Sequence, residues 1–141
     1  MPNSRVTAGQ RVAVKARAQN CCEYCWSQED YSPDSFSVEH ITPITKGGTS
    51  EDYNLANACQ GCNNRKFIST DALDPQTGDM APLFHPRRDQ WPDHFAWNED
   101  FTLIIGLTPT GRATINKLDL NRSGVVNLRR LLVEQGLHPL K

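Results

Sequence analysis

The sequence predicts an α+β domain in which two Cys-x2-Cys pairs clamp an inserted strand–loop–strand–helix unit. Three observations carry that prediction. Cys22-Glu23-Tyr24-Cys25 and Cys59-Gln60-Gly61-Cys62 repeat one knuckle pattern, with 33 residues between the pairs. Phe36-Ser37-Val38 alternates like a short strand ending at Glu39-His40, and Asn54-Leu55-Ala56-Asn57-Ala58 reads as its partner. Helical patterns flank the insert, over 6–18 before the first pair and 63–68 after the second.

The remaining elements follow in order. The first helix stops near Asn20 and delivers the chain to Cys22, after which 26–35 is a polar loop containing Pro33. Thr45-Lys46-Gly47-Gly48-Thr49-Ser50 is a second, glycine-rich loop. Beyond Asp71 the composition turns to Pro, Asp and aromatics, with a turn signal at Asp74-Pro75-Gln76-Thr77-Gly78. Phe95-Ala96-Trp97 and Phe101-Thr102-Leu103-Ile104-Ile105 read as a hairpin with the three-residue loop Asn98-Glu99-Asp100. A helix over 111–120 capped by Thr110 comes next. The last helix starts at Ser123, with Val125, Leu128, Leu131 and Leu132 on its packing face and Gly136 closing it. These elements divide a single 1–141 domain into a core at 17–69, a connector at 70–94 and a C-terminal hairpin with helices at 95–136.

At 141 residues the chain suits one compact unit with a modest core. No apolar run approaches the roughly 18 residues of a membrane span. The start, MPNSRVTAGQRVAVKARAQNC, has neither an apolar block nor a small-residue cleavage site, so the expected location is the cytoplasm. Cytosolic reductants keep thiols reduced, which makes metal binding the better use of five cysteines. Lys and Arg number 15 against 16 Asp and Glu, so there is no general basic excess. Four zinc-bound thiolates and their ion take the formal charge from −1 to −3, and a second divalent cation returns it to −1. Any nucleic-acid contact must then use a local basic face and a metal ion.

Cys22, Cys25, Cys59 and Cys62 are the expected ligands of one structural zinc, since each knuckle aims two sulfurs at one point. A separation of 33 residues exceeds the roughly 15–20 of a simple zinc ribbon, so the zinc clamps the ends of a functional insert. Cys21 is the spare thiol, assigned to packing, with exchange for Cys22 left open.

The ordered combination Cys22-x2-Cys25, Val38-Glu39-His40-Ile41-Thr42-Pro43, Gly47-Gly48, Asn54-Leu55 and Cys59-x2-Cys62-Asn63-x2-Lys66 resembles the zinc-clamped branch of the HNH endonucleases. The resemblance covers about 17–69, and the segment 91–121 is similar to an extension of some bacterial HNH proteins. It implies a ββα-metal core, and metal-dependent cleavage of DNA leaving 5′-phosphate and 3′-hydroxyl ends. The family often has Asp where Glu39 stands and many members have His where Asn63 stands. An Asn with a carboxylate favours Mg²⁺ or Mn²⁺ as the catalytic ion.

The residue chemistry agrees with that implication. Phosphodiester hydrolysis needs a base, a cation at the phosphate and leaving oxygen, and positive groups on the backbone. His40 is the expected base, and Glu39, on the opposite face of the strand end, is the expected metal ligand with the Asn63 amide oxygen. Asn54 orients the loop behind His40. Lys66 and Arg65, with Lys46 weaker, are the candidate phosphate contacts. His85, in Phe84-His85-Pro86-Arg87-Arg88, suits a place near DNA and a plain loop equally, His94 is expected partly buried, and His138 in the tail. Two rivals share these residues: a non-catalytic zinc-dependent nucleic-acid-binding or protein-interaction module, and a nuclease acting on RNA or as a nicking subunit. Oligomeric state is not encoded in any pattern seen.

Overall fold

The computed structural model describes residues 5–140, and its architecture is α+β. Helix α1 (Ala8–Arg17) opens with a capping box in which the Thr7 hydroxyl accepts from the Gln10 amide and the Gln10 side chain answers to Thr7. Its Val14 packs with Val6 on Val38 and Leu55. Strands β1 (Ser37–His40) and β2 (Leu55–Ala58) pair antiparallel, with Ser37 opposite Ala58 and His40 opposite Leu55. Helix α1 is tied to this hairpin by Arg17 Nη2, which donates to the Leu55 carbonyl at 2.8 Å, and by Gln10 Nε2, which donates to the Ser50 carbonyl at 2.7 Å.

Helix α2 (Gln60–Lys66) completes the ββα unit and begins earlier than the expected 63. The reason is its cap: Cys59 is the N-cap, its Sγ accepting from the Cys62 amide at 3.4 Å. The second knuckle and the first helical turn are therefore one piece of backbone.

The connector holds more structure than its composition suggests. Strands β3 (Asp71–Leu73) and β4 (Met80–Pro82) form a hairpin around the turn at Asp74, and the short helix α3 (Trp91–His94) follows. Three-residue strands are too brief for alternation to register in sequence. Asp74 accepts from Gln76 N and Thr77 Oγ1 within the turn and receives Arg112 Nε and Nη2, each at 3.0 Å.

Strands β5 (Phe95–Trp97) and β6 (Ile104–Gly106) pair across a 98–103 loop, longer than expected. Asn98 Oδ1 accepts from the amides of Thr102 and Leu103, so a side chain closes the loop. Helix α4 (Pro109–Leu118) is capped by Thr108, not Thr110, with Pro109 in its first turn. In helix α5 (Ser123–Glu134), Val125 and Leu132 are buried while Leu131 is 59% exposed. The place inside belongs to Arg129, which is 2% exposed and donates to the carbonyls of Cys25, Thr102 and Leu120. Its guanidinium lies 5.1 Å from the Trp97 ring centroid. His138 is also no free tail: it is buried, with Nε2 3.0 Å from the Phe101 carbonyl.

One apolar cluster runs from the four knuckle cysteines through Ala56, Ala72, Leu83, Phe84, Phe95 and Leu118 to Val125. The C-terminal hairpin and helices thus share a core with the ββα unit. No described helix is long and apolar enough to cross a membrane.

Candidate active site and metal centre

The Sγ atoms of Cys22, Cys25, Cys59 and Cys62 lie within 4.8 Å of one another, and all four residues are buried. A tetrahedral zinc with bonds of about 2.3 Å requires sulfurs about 3.8 Å apart. Cys25 and Cys59 are 3.7 Å apart, so the donor set fits zinc. Cys21 is buried outside the cluster with Sγ 3.5 Å from the Gln19 carbonyl, which settles the choice between it and Cys22.

Partners around the sulfurs come from places with no cysteine pattern to reveal them. Ser27 Oγ is 3.2 Å from Cys25 Sγ. Arg122, at the start of α5, brings Nη2 to 3.4 Å from Cys59 Sγ and Nη1 to 3.7 Å from Cys62 Sγ. The guanidinium packs directly over the second knuckle at Gly61, where an added Cβ would stand 2.6 Å from Arg122 Nη2. This cation offsets the excess negative charge of a four-thiolate zinc centre. Arg122→Ala is accordingly expected to weaken zinc retention about 10- to 100-fold, measured by competition with a chromogenic chelator.

The first knuckle also reaches the strand end. Tyr24, between two ligands, donates its hydroxyl to Glu39 Oε1, and Lys66 Nζ of α2 pairs with Glu39 Oε2 at 3.3 Å. Lys66 further donates to the Ile41 carbonyl at 2.8 Å. Burial pushes the Glu39 carboxyl up, opposed by the Lys66 ammonium and the Tyr24 hydroxyl. On the next residue, His40 Nε2 lies 2.9 Å from Ser50 Oγ, and Nδ1 has no hydrogen-bond partner among the described residues. Burial first, and the Lys66 charge second, hold His40 below its ordinary 6.5. Asn63 stands in the middle of α2 with its side-chain amide unbonded within the described residues.

Glu39, His40 and Asn63 line one open cleft of about 370 Å³, rimmed by Ile44, Phe67 and Ile68. Phe67 ends α2 with φ +49° and ψ −121° and is 72% exposed. That is a costly conformation for a bulky residue, of order 1–3 kcal/mol, held at the edge of the cleft. Behind the cleft, Asn54 fastens the 42–49 loop. Its Oδ1 accepts from Thr42 N at 2.8 Å, and Nδ2 donates to the carbonyls of Thr42 and Thr49 at 2.9 and 2.7 Å. Gly48 lies against the same clamp, where an added Cβ would stand 1.8 Å from the Thr42 carbonyl oxygen.

Residues 22–67 match the HNH endonuclease family model. The match begins at Cys22, the first cysteine of the cluster, and ends at Phe67, the C-cap of α2, a third of the chain. No curated protein and no solved structure matches the chain. The HNH segment points to a nuclease or nucleic-acid-binding function.

Within the HNH segment the candidate phosphate contacts divide. Lys66 is 1% exposed and engaged with Glu39 and Ile41, so it is no surface contact. It is the buried counter-ion of the carboxylate, because an unpaired Glu39 in this setting would be costly. Arg65 is exposed and, among the described residues, bonded only to the Gly61 carbonyl at 3.2 Å, and Lys46 is exposed on the loop. Sequence reasoning missed Tyr24, Ser50 and Arg122. Tyr24 and Ser50 carried no signal beyond neighbouring a ligand and ending a Gly-rich loop.

Proposed function

We propose that the protein is a metal-dependent endonuclease that hydrolyses DNA phosphodiester bonds in the cleft of Glu39, His40 and Asn63. The observation that supports this reading is their convergence in one open cleft, braced on the zinc knuckle through Tyr24. His40, neutral at pH 7, accepts the proton of the attacking water at Nδ1, while Nε2–H donates to Ser50 and fixes the ring. Asn54 keeps the following loop in place, so its role is positioning. Arg65 and Lys46 hold the strand by its phosphates.

Glu39 and Asn63 would hold Mg²⁺ or Mn²⁺, which supplies positive charge to the phosphate and leaving oxygen. Each Glu39 oxygen keeps lone-pair capacity beyond its partner, and the Asn63 amide oxygen is unbonded among the described residues. Lys66 beside Glu39 makes the empty cleft inhospitable to a lone cation, so cation and substrate phosphate bind together. The test is supercoiled plasmid incubated with protein and Mg²⁺ or Mn²⁺, with EDTA treatment and metal add-back. Nicked or linear plasmid, lost with EDTA and restored by Mg²⁺ or Mn²⁺ but not zinc, is expected. Asn63→Ala should keep zinc and DNA binding and lose much of the rate. The Glu39–Lys66 pair favours the alternative, a zinc-dependent nucleic-acid-binding module without catalysis, because it occupies the carboxylate; intact plasmid under all conditions would establish that reading.

A further inference from the structure

The 42–49 loop that borders the catalytic cleft also borders a second cavity, of about 380 Å³, walled by Gly47, Gly48, Thr49, Tyr53, His85 and Arg88 together with Thr42 and Asn54. No carboxylate is among these described lining residues. His85 is 9% exposed and comes from the connector, outside the HNH segment. Its Nδ1 accepts from the backbone amides of Arg87 and Arg88 at 3.2 and 3.1 Å, which places the ring proton on Nε2. Among the described residues Nε2 has no hydrogen-bond partner, and the atom is not fully enclosed, so it is an accessible donor on a residue otherwise packed away. Arg88 is exposed and its guanidinium has no partner among the described residues, and its charge acts on the His85 ring, so an available cation stands near that donor. Asp89 is the nearest acid in the turn; its Oδ2 accepts from the His85 amide.

We infer that this cavity is a phosphate subsite in which His85 Nε2–H and the Arg88 guanidinium grip a phosphate of the nucleic acid away from the cut. The inference rests on the proposed nuclease reading. A fixed neutral donor, a free cation and glycine-opened backbone suit an anionic oxygen cluster. The same loop faces the cleft through Pro43, Ile44 and Thr45 and the cavity through Gly47, Gly48 and Thr49. A strand held at both sides of it is fixed in register relative to His40. The connector, which the family match does not reach, thereby supplies substrate binding.

The experiment uses the full chain with zinc, and the variants His85→Asn and Arg88→Ala. Asn keeps an acceptor where Nδ1 stood, preserving the turn, and removes the Nε2 donor of this cavity-lining residue. The Arg88 side chain is exposed and unbonded among the described residues, so its truncation leaves the fold alone and decides the matter if His85→Asn fails to fold. Expected for each variant is a KM for DNA raised roughly tenfold with kcat nearly unchanged. For Arg88→Ala the slope of log affinity against log salt should also fall by about 0.9. Defects on covalently closed plasmid identify an internal phosphate, and defects confined to 5′-phosphorylated linear duplex identify a terminal one; both support the subsite. Variants that bind and cleave like an active wild type overturn it. A wild type that neither binds nor cleaves DNA overturns the nuclease reading and the subsite with it.

Discussion

Cys59→Ser is expected to yield a protein without zinc and without a fixed tertiary structure. Structural zinc in small domains is worth apparent free energies of about 10–16 kcal/mol, against whole-domain stabilities of about 5–15 kcal/mol. Losing one of four ligands therefore threatens the entire fold. The position concentrates three roles: Cys59 completes the tetrahedron, caps α2 and receives Arg122. Serine separates them, because a serine hydroxyl is itself a good N-cap, so the helix start survives and the deficit measures the metal. Cys21→Ser is the matched control, a buried thiol outside the cluster, and should keep its zinc. Elemental analysis and near-ultraviolet circular dichroism of both, in reducing buffer, give the answer. One zinc per chain and a native spectrum in Cys59→Ser would refute the four-cysteine centre.

The zinc centre was legible because thiolate ligands must come at knuckle spacing, which leaves a pattern in the chain. The β1–β2–α2 unit was legible for a related reason, as its strands lie between the knuckles and the first of them alternates. What the sequence concealed was the environment of the charged groups. Lys66 reads as a basic residue on a short helix, and only folding shows that its face of α2 turns inward to Glu39. Arg129 sits on an apparently apolar stripe, yet four carbonyl and amide oxygens and an indole face make its burial tolerable. The cap expected at Thr110 lies at Thr108, because Pro109 favours the first helical position and so starts the helix earlier. The β3–β4 hairpin was hidden by its length.

His40→Gln is expected to lower the rate of DNA cleavage about 10²- to 10⁴-fold, the usual contribution of a positioned general base. Glutamine is the informative replacement, since its amide can keep the contact with Ser50 while offering no basic nitrogen at the cleft. Zinc content, fold and DNA affinity should be unchanged, so the loss belongs to kcat. The pH dependence supplies a second, independent reading of the same group. Burial and the Lys66 ammonium disfavour the imidazolium, so the proton leaves His40 below its ordinary 6.5. The base is then in its working, neutral form at pH 6.5 and above, and activity declines as pH falls through the lowered value. In a wild-type profile of kcat/KM against pH with Mg²⁺ held saturating, the acid limb should therefore have its midpoint below 6.5, and the limb should vanish from the residual activity of His40→Gln. A midpoint above 6.5, or an unchanged limb in the variant, would assign the titrating base to another residue, and a variant that cuts plasmid at the wild-type rate would remove His40 from the chemistry altogether.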